Sequence, residues 1–159
     1  MDFNSAEVVD LYDELPLWSA PFGLLLLARI PMRRGLTILD VGAGTGFLTV
    51  ELAQRCGPDA KVIAVDPWKA ATRRLRRKLD HLGLHNNVVV IEQDAAAIEL
   101  PDASVDVVVS NLGINNFESP AAVLRACFRV SKPGARLWLT TNLVRSGERR
   151  GYPSPCPRP

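Results

Sequence analysis

The sequence has too few cysteines and too little net charge for several classes of protein. Its 159 residues include three cysteines, Cys56, Cys127 and Cys156, and this odd number at wide spacing fits neither a disulfide framework nor a zinc-ligand pattern. Nineteen basic and 17 acidic side chains leave a formal charge of +2, so no strong overall field would attract nucleic acid or an anionic membrane. We therefore expect a cytoplasmic protein with no nucleic-acid partner and no metal.

Long hydrophobic runs are also missing. The most apolar stretch, Phe22 to Ile30, is far shorter than the roughly 20 residues that span a membrane. The acidic, polar start of the chain is unlike a secretory signal. We expect no membrane span, and we interpret the apolar stretch as a buried helix.

Five apolar runs rich in Val, Ile and Leu predict five buried strands. The last four lack clean alternation, as do strands that helices cover on both faces of a parallel sheet. Stretches with helical spacing separate the strands, and two more helices are predicted ahead of them. This order predicts a doubly wound α/β domain with a mainly parallel sheet. The predicted strands are residues 36–41, 61–65, 87–92, 105–110 and 135–141, and the predicted helices are residues 5–14, 17–30, 47–56, 68–82 and 120–130.

The end of the chain differs in composition from the rest. Residues 144–159 are rich in Arg, Gly and Ser and then carry proline at every second position from Pro153 to Pro159. Such a segment cannot donate regular backbone hydrogen bonds and has little to bury, so it is predicted to be disordered or extended. The predicted organisation is N-terminal helices at 1–33, an α/β domain at 34–143 and a tail at 144–159.

A glycine-rich turn follows the first predicted strand, in the sequence D-V-G-A-G-T-G from Asp40 to Gly46. Glycine lets the backbone turn tightly and lie against a ligand. The dinucleotide fingerprint of nicotinamide enzymes needs a third glycine where this chain has Phe47. The spacing therefore disfavours a nicotinamide cofactor, whereas a tight turn without any ligand stays open as an alternative.

This segment closely resembles the first motif of the class I S-adenosylmethionine-dependent methyltransferases. In that family an acidic residue ends the second strand and binds both ribose hydroxyls, a position that Asp66 matches. Another acidic residue follows the third strand and meets the adenine amine, which matches Asp94, with the backbone amide of Ala95 beside the ring. Leu100–Asp106 and Phe128–Gly134 resemble the family's approaches to strands four and five.

The resemblance spans about residues 34–143 and is closest to small-molecule methyltransferases such as the quinone-biosynthesis group. Two positions depart from the pattern, because Ser131 and Ala135 stand where leucine and a second glycine are usual. The resemblance implies a Rossmann-like fold, S-adenosyl-L-methionine as cofactor, and methyl transfer to a small-molecule acceptor. It assigns no catalytic residue. The implied cofactor-binding residues are Asp40, Gly42, Ala43, Gly44, Gly46, Asp66, Pro67, Asp94, Ala95, Asn111 and Leu112.

Several other side chains allow two interpretations. Tyr12 and Trp18 either close over the cofactor or pack in the N-terminal region, and Trp68 either lies against adenine or belongs to the core. The loop residues Asn115 and Asn116, with Phe117, either border the cofactor or shape a loop. A third set, the basic residues of the helix predicted at 68–82, could grip phosphate, but a solvated helix face is favoured. His81 and His85 are interpreted as helix-end residues.

The resemblance fails after the fifth strand. Complete members of the family continue with another helix and two more strands, and the proline-rich tail stands in their place here. The fifth strand is then expected at an open sheet edge, through which a second copy of the chain could bind. Two alternatives to an active methyltransferase follow: a truncated, weak or inactive fragment that binds S-adenosylmethionine, and, less favoured, an NAD-dependent oxidoreductase.

Overall fold

The computed structural model describes residue 2 and residues 4–142, so the predicted tail lies outside the described residues. The helices are α1 (Ala6–Glu14), α2 (Ala20–Leu27), α3 (Phe47–Cys56), α4 (Lys69–Leu82) and α5 (Pro120–Val130). The strands are β1 (Thr37–Val41), β2 (Lys61–Val65), β3 (Val88–Ile91), β4 (Val105–Asn111) and β5 (Ser131–Thr140). Short 3₁₀ turns lie at Pro16–Trp18, Ala95–Ala97 and Gly113–Asn115.

The five strands form one sheet in the order β3-β2-β1-β4-β5, and every neighbouring pair is parallel. The predicted doubly wound parallel sheet is confirmed. The strand order reverses between β1 and β4, and ligands of such sheets bind beyond the carboxyl ends of the strands at this reversal. The topology therefore places a candidate site next to the glycine-rich turn that follows β1.

Two apolar layers cover the two faces of the sheet. Ile38 and Val62 point into the layer that contains the buried faces of α2, α3 and α4. The alternate residues Leu39 and Ile63 point into the second layer, which α5 and the 3₁₀ turn at Ala95–Ala97 complete. Burial on both faces explains why these strands lack a polar side in the sequence.

The N-terminal helices differ from their prediction. In place of one helix over residues 17–30, a 3₁₀ turn precedes α2, whose first turn contains Pro21 at a position that needs no backbone donor. The interpretation of Phe22 to Ile30 as a buried helix is wrong for about half of these residues, which are exposed. Leu26 and Leu27 are buried, but Leu24 and Leu25 are 52% and 61% exposed, because only one side of α2 contacts the rest of the fold. No helix in the described part of the chain is long and apolar enough to cross a membrane.

Residues 132–134, which precede the strand predicted at 135–141, lie inside β5 as a bulge. Val105 of β4 pairs with Ser131, whereas Val107 pairs with Arg136, so β5 carries extra residues between the two pairings. Gly134 has a φ of +82°, a conformation that glycine adopts without strain. β5 therefore begins four residues before its predicted start, and β4 pairs with it on both sides of the bulge.

One edge of the sheet and the surface beside it are apolar. Within residues 4–142, β5 is the outermost strand on its side of the sheet, as predicted. Leu137 pairs with Val108 and so points to the face that α5 covers. Leu124, Phe128 and Leu137 are 38%, 84% and 42% exposed. An open strand edge beside exposed apolar side chains favours self-association.

Replacing the most exposed of these side chains should reduce self-association. Because Phe128 is 84% exposed, Phe128→Ser should change the free energy of unfolding by less than about 0.5 kcal/mol and should lower the weight-average mass in sedimentation experiments. Leu82→Ser, at the end of α4 and 44% exposed, is the matched control. Equal masses for the wild type and both variants would exclude this surface as a contact between copies.

Candidate functional site

A cavity of about 420 Å³ opens at the carboxyl ends of β1, β2 and β4, at the reversal of strand order. Its volume is within the range of small-molecule sites. A smaller cavity of about 200 Å³ adjoins it through shared lining residues and reaches Asp40, Ala43 and Thr45. The larger cavity is lined by the glycine turn, the end of β2, the end of β4 and α1, through Tyr12, Trp18, Gly42, Gly44, Asp66, Pro67, Trp68, Asn111, Leu112, Asn116 and Phe117, among others.

The glycine turn is held open by backbone hydrogen bonds to β2. The N–H groups of Gly42 and Ala43 both donate to the carbonyl of Val65, at 2.9 and 3.1 Å. Gly44 has a φ of +55°, and a Cβ built on it would meet no described heavy atom within 4 Å. Its missing side chain therefore leaves space against the cavity. Gly46 serves a different purpose, because a Cβ there would collide with the side chain of Leu75 on α4.

Asp66 lies where β2 ends and joins the two sides of the cavity. Its Oδ2 accepts from the N–H of Gly44 and its Oδ1 from the N–H of Trp68, both at 2.8 Å. The residue is 8% exposed. Burial raises the pKa of its carboxyl group, and the two N–H donors only partly oppose this. Since a carboxylate oxygen can accept more than one hydrogen bond, each oxygen retains acceptor capacity for a ligand.

Asp40 is buried deeper, at the end of β1. Its Oδ2 accepts a 2.6 Å hydrogen bond from the hydroxyl of Thr49 on α3, and the residue is 1% exposed. Burial raises the pKa of Asp40 to about 7, and the nearby charge of Asp66 adds to the rise, whereas the Thr49 hydroxyl lowers it. Asp40 can therefore change its protonation state near neutral pH, next to the smaller cavity.

Asn111 is fixed at both ends of its side-chain amide. Its Nδ2 donates to the carbonyl of Ser19 at 3.0 Å, and its Oδ1 accepts from the hydroxyl of Thr140 at 2.7 Å. The following residue, Leu112, has a φ of +60°, a region that non-glycine residues seldom adopt and that is frequent at functional sites. The end of β4 is thus held against both α2 and β5.

Gly113 was missed by sequence reasoning. A Cβ on Gly113 would lie 2.7 Å from Ser110 Oγ and 2.9 Å from the carbonyl oxygen of Val41. Only glycine lets the loop after β4 pack this closely on the end of β1. The sequence signal was a glycine three residues after the strand predicted at 105–110, but its partner Val41 is distant in sequence.

Asp94 and Ala95 lie outside the residues that line either cavity. Asp94 Oδ1 accepts from the N–H of Ala96 at 2.9 Å and so begins the 3₁₀ turn. Ala95 is 5% exposed. Both follow β3, the neighbour of β2 in the sheet, so their contact with a ligand stays a prediction.

An aromatic cluster closes the site from the N-terminal side. Tyr12 packs edge-on against Trp68 and Trp18, with ring centroids 5.3 and 5.8 Å apart. All three side chains also line the larger cavity. They therefore pack against one another and border the site at the same time. Trp68 is 7% exposed, and its indole Nε1 is buried with no partner among the described residues. A ligand acceptor would satisfy this group.

The basic face of α4 is not simply solvated. Arg74 and Lys78 bind the carboxylates of α1, at 2.9 Å and 2.6 Å from Asp13. Arg76 binds Glu92 at 3.3 Å. Sequence periodicity could not find the pairs of Asp13, because α2, β1, α3 and β2 separate α1 from α4. Glu92 lies outside α4, directly after β3.

Asp40 makes the stability of the ligand-free protein depend on pH. A carboxyl group whose folded pKa is raised from 3.8 to about 7 imposes no penalty below its unfolded pKa. The penalty grows as pH rises from about 4 to 7 and then stays constant, at an upper limit on the order of 4 kcal/mol. Asp40→Asn, which keeps an acceptor for Thr49, should therefore gain stability relative to the wild type between pH 5 and pH 8.

Urea unfolding of both proteins at the two pH values measures this gain. Thr49→Val is a useful second variant, because it removes the hydroxyl that stabilises the charged form and should steepen the loss of stability with pH. A constant difference between the wild type and Asp40→Asn across this range would show that Asp40 ionises normally.

The chain matches the methyltransferase domain family over residues 38–134. The ubiquinone/menaquinone biosynthesis C-methyltransferase of Salmonella arizonae is 37% identical to it over 106 residues, which are 67% of this chain and 42% of that protein. The chain thus spans less than half the length of the curated relatives that it matches.

Solved structures agree with this assignment. A methyltransferase from Aquifex aeolicus, described as SAM-dependent, superposes with a TM-score of 0.74 at 28% identity, covering 95% of this chain and 78% of that one. For the fold alone, a putative S-adenosyl-L-methionine-dependent methyltransferase from Methanococcus maripaludis gives a TM-score of 0.76 at 21% identity, covering 89% and 65%. The chain therefore belongs to the methyltransferase domain family and has the Rossmann-like fold of the class I S-adenosylmethionine-dependent methyltransferases.

Proposed function

We propose that this chain binds S-adenosylmethionine in the cavity beyond β1, β2 and β4 and transfers its methyl group to a small-molecule acceptor. The observation that carries the proposal is the carboxylate of Asp66. It is buried, it is fixed by the N–H groups of Gly44 and Trp68, and each oxygen can accept a further hydrogen bond. Such a group suits two neighbouring hydroxyls, as on a ribose.

The adenosine half of the cofactor fits the wall around Asp66. Pro67 and Trp68 line the cavity directly after it and offer apolar surface to a flat base. The unpartnered indole N–H of Trp68 is a donor for which a nucleoside has acceptors. Asp94 and Ala95 would contact the base from the neighbouring strand end.

The methionine half fits the smaller cavity. Asp40, Ala43 and Gly44 line it together with Asn111, and Leu112 borders the larger cavity beside them. A ligand ammonium group in this space would hold Asp40 in its charged form, because a nearby positive charge lowers the pKa of a carboxyl group. Asn111 is rigid through Ser19 and Thr140 and would orient the ligand without reorganising.

Positioning is the main chemical task of the protein in this reaction. The bound cofactor supplies an electrophilic methyl group, and alignment of an acceptor behind it is worth roughly 7 to 11 kcal/mol. The aromatic side chains of Tyr12, Trp18 and Phe117 border the cavity and would hold a flat or apolar acceptor and exclude water. The acceptor is proposed only at the level of a small molecule.

Two alternatives are distinguished by experiment. A fragment that binds the cofactor without turnover is compatible with the share of its relatives that the chain spans. An NAD-dependent oxidoreductase is disfavoured, because Phe47 occupies the third glycine position of the dinucleotide fingerprint. The two buried free thiols among the described residues, Cys56 and Cys127, support a cytoplasmic setting.

Isothermal titration of the folded chain with S-adenosylhomocysteine, S-adenosylmethionine and NAD tests the binding site. We expect micromolar binding of the first two ligands alone. Asp66→Ala should weaken this binding by about 1 to 3 kcal/mol, or roughly 5- to 150-fold, since it removes acceptors from two buried hydroxyls. Asp59→Ala, an exposed aspartate before β2, is the matched control.

Unchanged affinity in folded Asp66→Ala would remove Asp66 from the site, and binding of NAD alone would overturn the cofactor assignment. Incubation with radiolabelled S-adenosylmethionine and a panel of phenolic, quinol and amine acceptors then separates an enzyme from a binding fragment. Methyl transfer to any acceptor supports the first. Tight binding with no transfer to the panel supports the second.

The role of Asp94 is tested with a modified base. If its carboxylate accepts from the exocyclic amine of adenine, the wild type should bind S-adenosylhomocysteine more tightly than S-inosylhomocysteine, which lacks that amine. Asp94→Ala should remove most of this preference, roughly tenfold for one hydrogen bond to a charged group. A preference that survives in Asp94→Ala would show that Asp94 only caps the 3₁₀ turn through Ala96.

A further inference from the structure

Helix α1 covers the cavity but has little apolar anchorage of its own. It is nine residues long, and Val9 is its buried residue, packed with Trp68, Ala70 and Ala71. A helix of this length is unstable alone in water. Leu11 is 56% exposed and contributes little. The position of α1 must therefore depend on its other contacts.

The strongest of these contacts converge on Asp13. Its Oδ1 lies 2.6 Å from Lys78 Nζ and its Oδ2 2.9 Å from Arg74 Nε, and its side chain is only 11% exposed. Burial alone would raise the pKa of this carboxyl group, but hydrogen bonds from Lys78, Arg74 and the Thr45 side chain lower it below its usual value. Asp13 is thus charged at neutral pH and binds two cations of α4.

Asp13 also lies close to the glycine turn. It lines the smaller cavity together with Thr45, which stands between Gly44 and Gly46. Asp13 therefore fixes α1 to α4 beside the turn that follows β1. Asp10 forms two further ion pairs with α4, with Arg74 at 3.1 Å and with Arg77 at 3.5 Å. These pairs are more exposed and contribute less.

The residue before Asp13 forms part of the cavity wall. Tyr12 lines the cavity and packs edge-on against Trp68 and Trp18. Because Tyr12 and Asp13 are adjacent on one short helix, the ion pairs of Asp13 act together with the aromatic contacts to fix the Tyr12 ring. Loss of these pairs would leave the aromatic contacts to hold α1 and would loosen its cover of the cavity.

We propose that Asp13 is a positioning residue that fastens α1 over the bound cofactor through Lys78 and Arg74, so that release of the cofactor product requires these ion pairs to break. The inference rests on the proposed function, because it assigns a role to α1 in retaining the same ligand. It predicts that ligand release becomes faster when salt screens the ion pairs. It also predicts that this salt effect disappears when Asp13 loses its charge.

Stopped-flow dissociation of S-adenosylhomocysteine, followed by the fluorescence of Trp18 and Trp68, tests the proposal at 50 mM and 500 mM NaCl. In the wild type the dissociation rate should rise with salt. In Asp13→Asn it should be roughly fivefold or more higher at low salt and nearly independent of salt. Lys78→Gln removes one of the two ion pairs of Asp13 and leaves the pair with Arg74, so it should show both changes to a smaller extent.

Glu51→Gln is the matched control. It removes an exposed carboxylate from the Glu51–Arg55 pair on α3, away from α1, and should leave both the rate and its salt dependence unchanged. Thermal melts of all variants confirm folding, and Lys78→Gln carries the test if Asp13→Asn does not fold.

The outcomes separate the two proposals. If the folded wild type fails to bind S-adenosylhomocysteine, the proposed function fails, and the proposed role of Asp13 fails with it. If the wild type binds but folded Asp13→Asn or Lys78→Gln releases ligand at the wild-type rate with the wild-type salt dependence, the role of Asp13 is overturned while the proposed function stands. A uniform loss of affinity with an unchanged salt dependence would likewise reduce Asp13 to a structural residue.

Discussion

The hydrogen bond from the Gly44 N–H to the buried carboxylate of Asp66 is the contact on which the site depends. It joins the turn after β1 to the end of β2, two segments that the parallel sheet has already brought side by side. Without a side chain on Gly44 the turn lies open to the cavity. The bond therefore gives the ligand two adjoining surfaces, a bare backbone and a carboxylate, in fixed relation.

The three buried or half-buried acidic residues around this point illustrate how environment separates identical groups. Burial dominates at Asp40 and raises its pKa to about 7, since the hydrogen bond from the Thr49 hydroxyl lowers the pKa by less than burial raises it. The pKa of Asp66 is also raised, in spite of two N–H donors. The pKa of Asp13 is lowered, because Lys78 and Arg74 supply full positive charges. The site thus combines two carboxyl groups whose charged form is disfavoured by burial with one whose charged form is stabilised by two cations.

The outer parts of the fold are held less firmly than the sheet. α1 depends on charges and on the Tyr12–Trp68 contact, and α2 buries only one of its sides. At the other end of the described chain, β5 is the last strand of the sheet. Both regions contact the cavity wall, since Asn111 bonds to Ser19 before α2 and to Thr140 of β5.

Much of this arrangement followed from local sequence. The apolar runs determined the strands to within a few residues, and the glycines after Asp40 predicted the turn, because backbone conformation and burial are set by neighbouring residues. The resemblance of that segment to a family motif implied the class of cofactor. The tertiary structure alone decided which distant groups meet: Asp13 with Lys78, Gly113 with Val41, and Asn111 with both Ser19 and Thr140. These contacts join segments between 29 and 92 residues apart. The periodicity or motif of one segment does not identify the distant segment that will pack against it in the folded sheet.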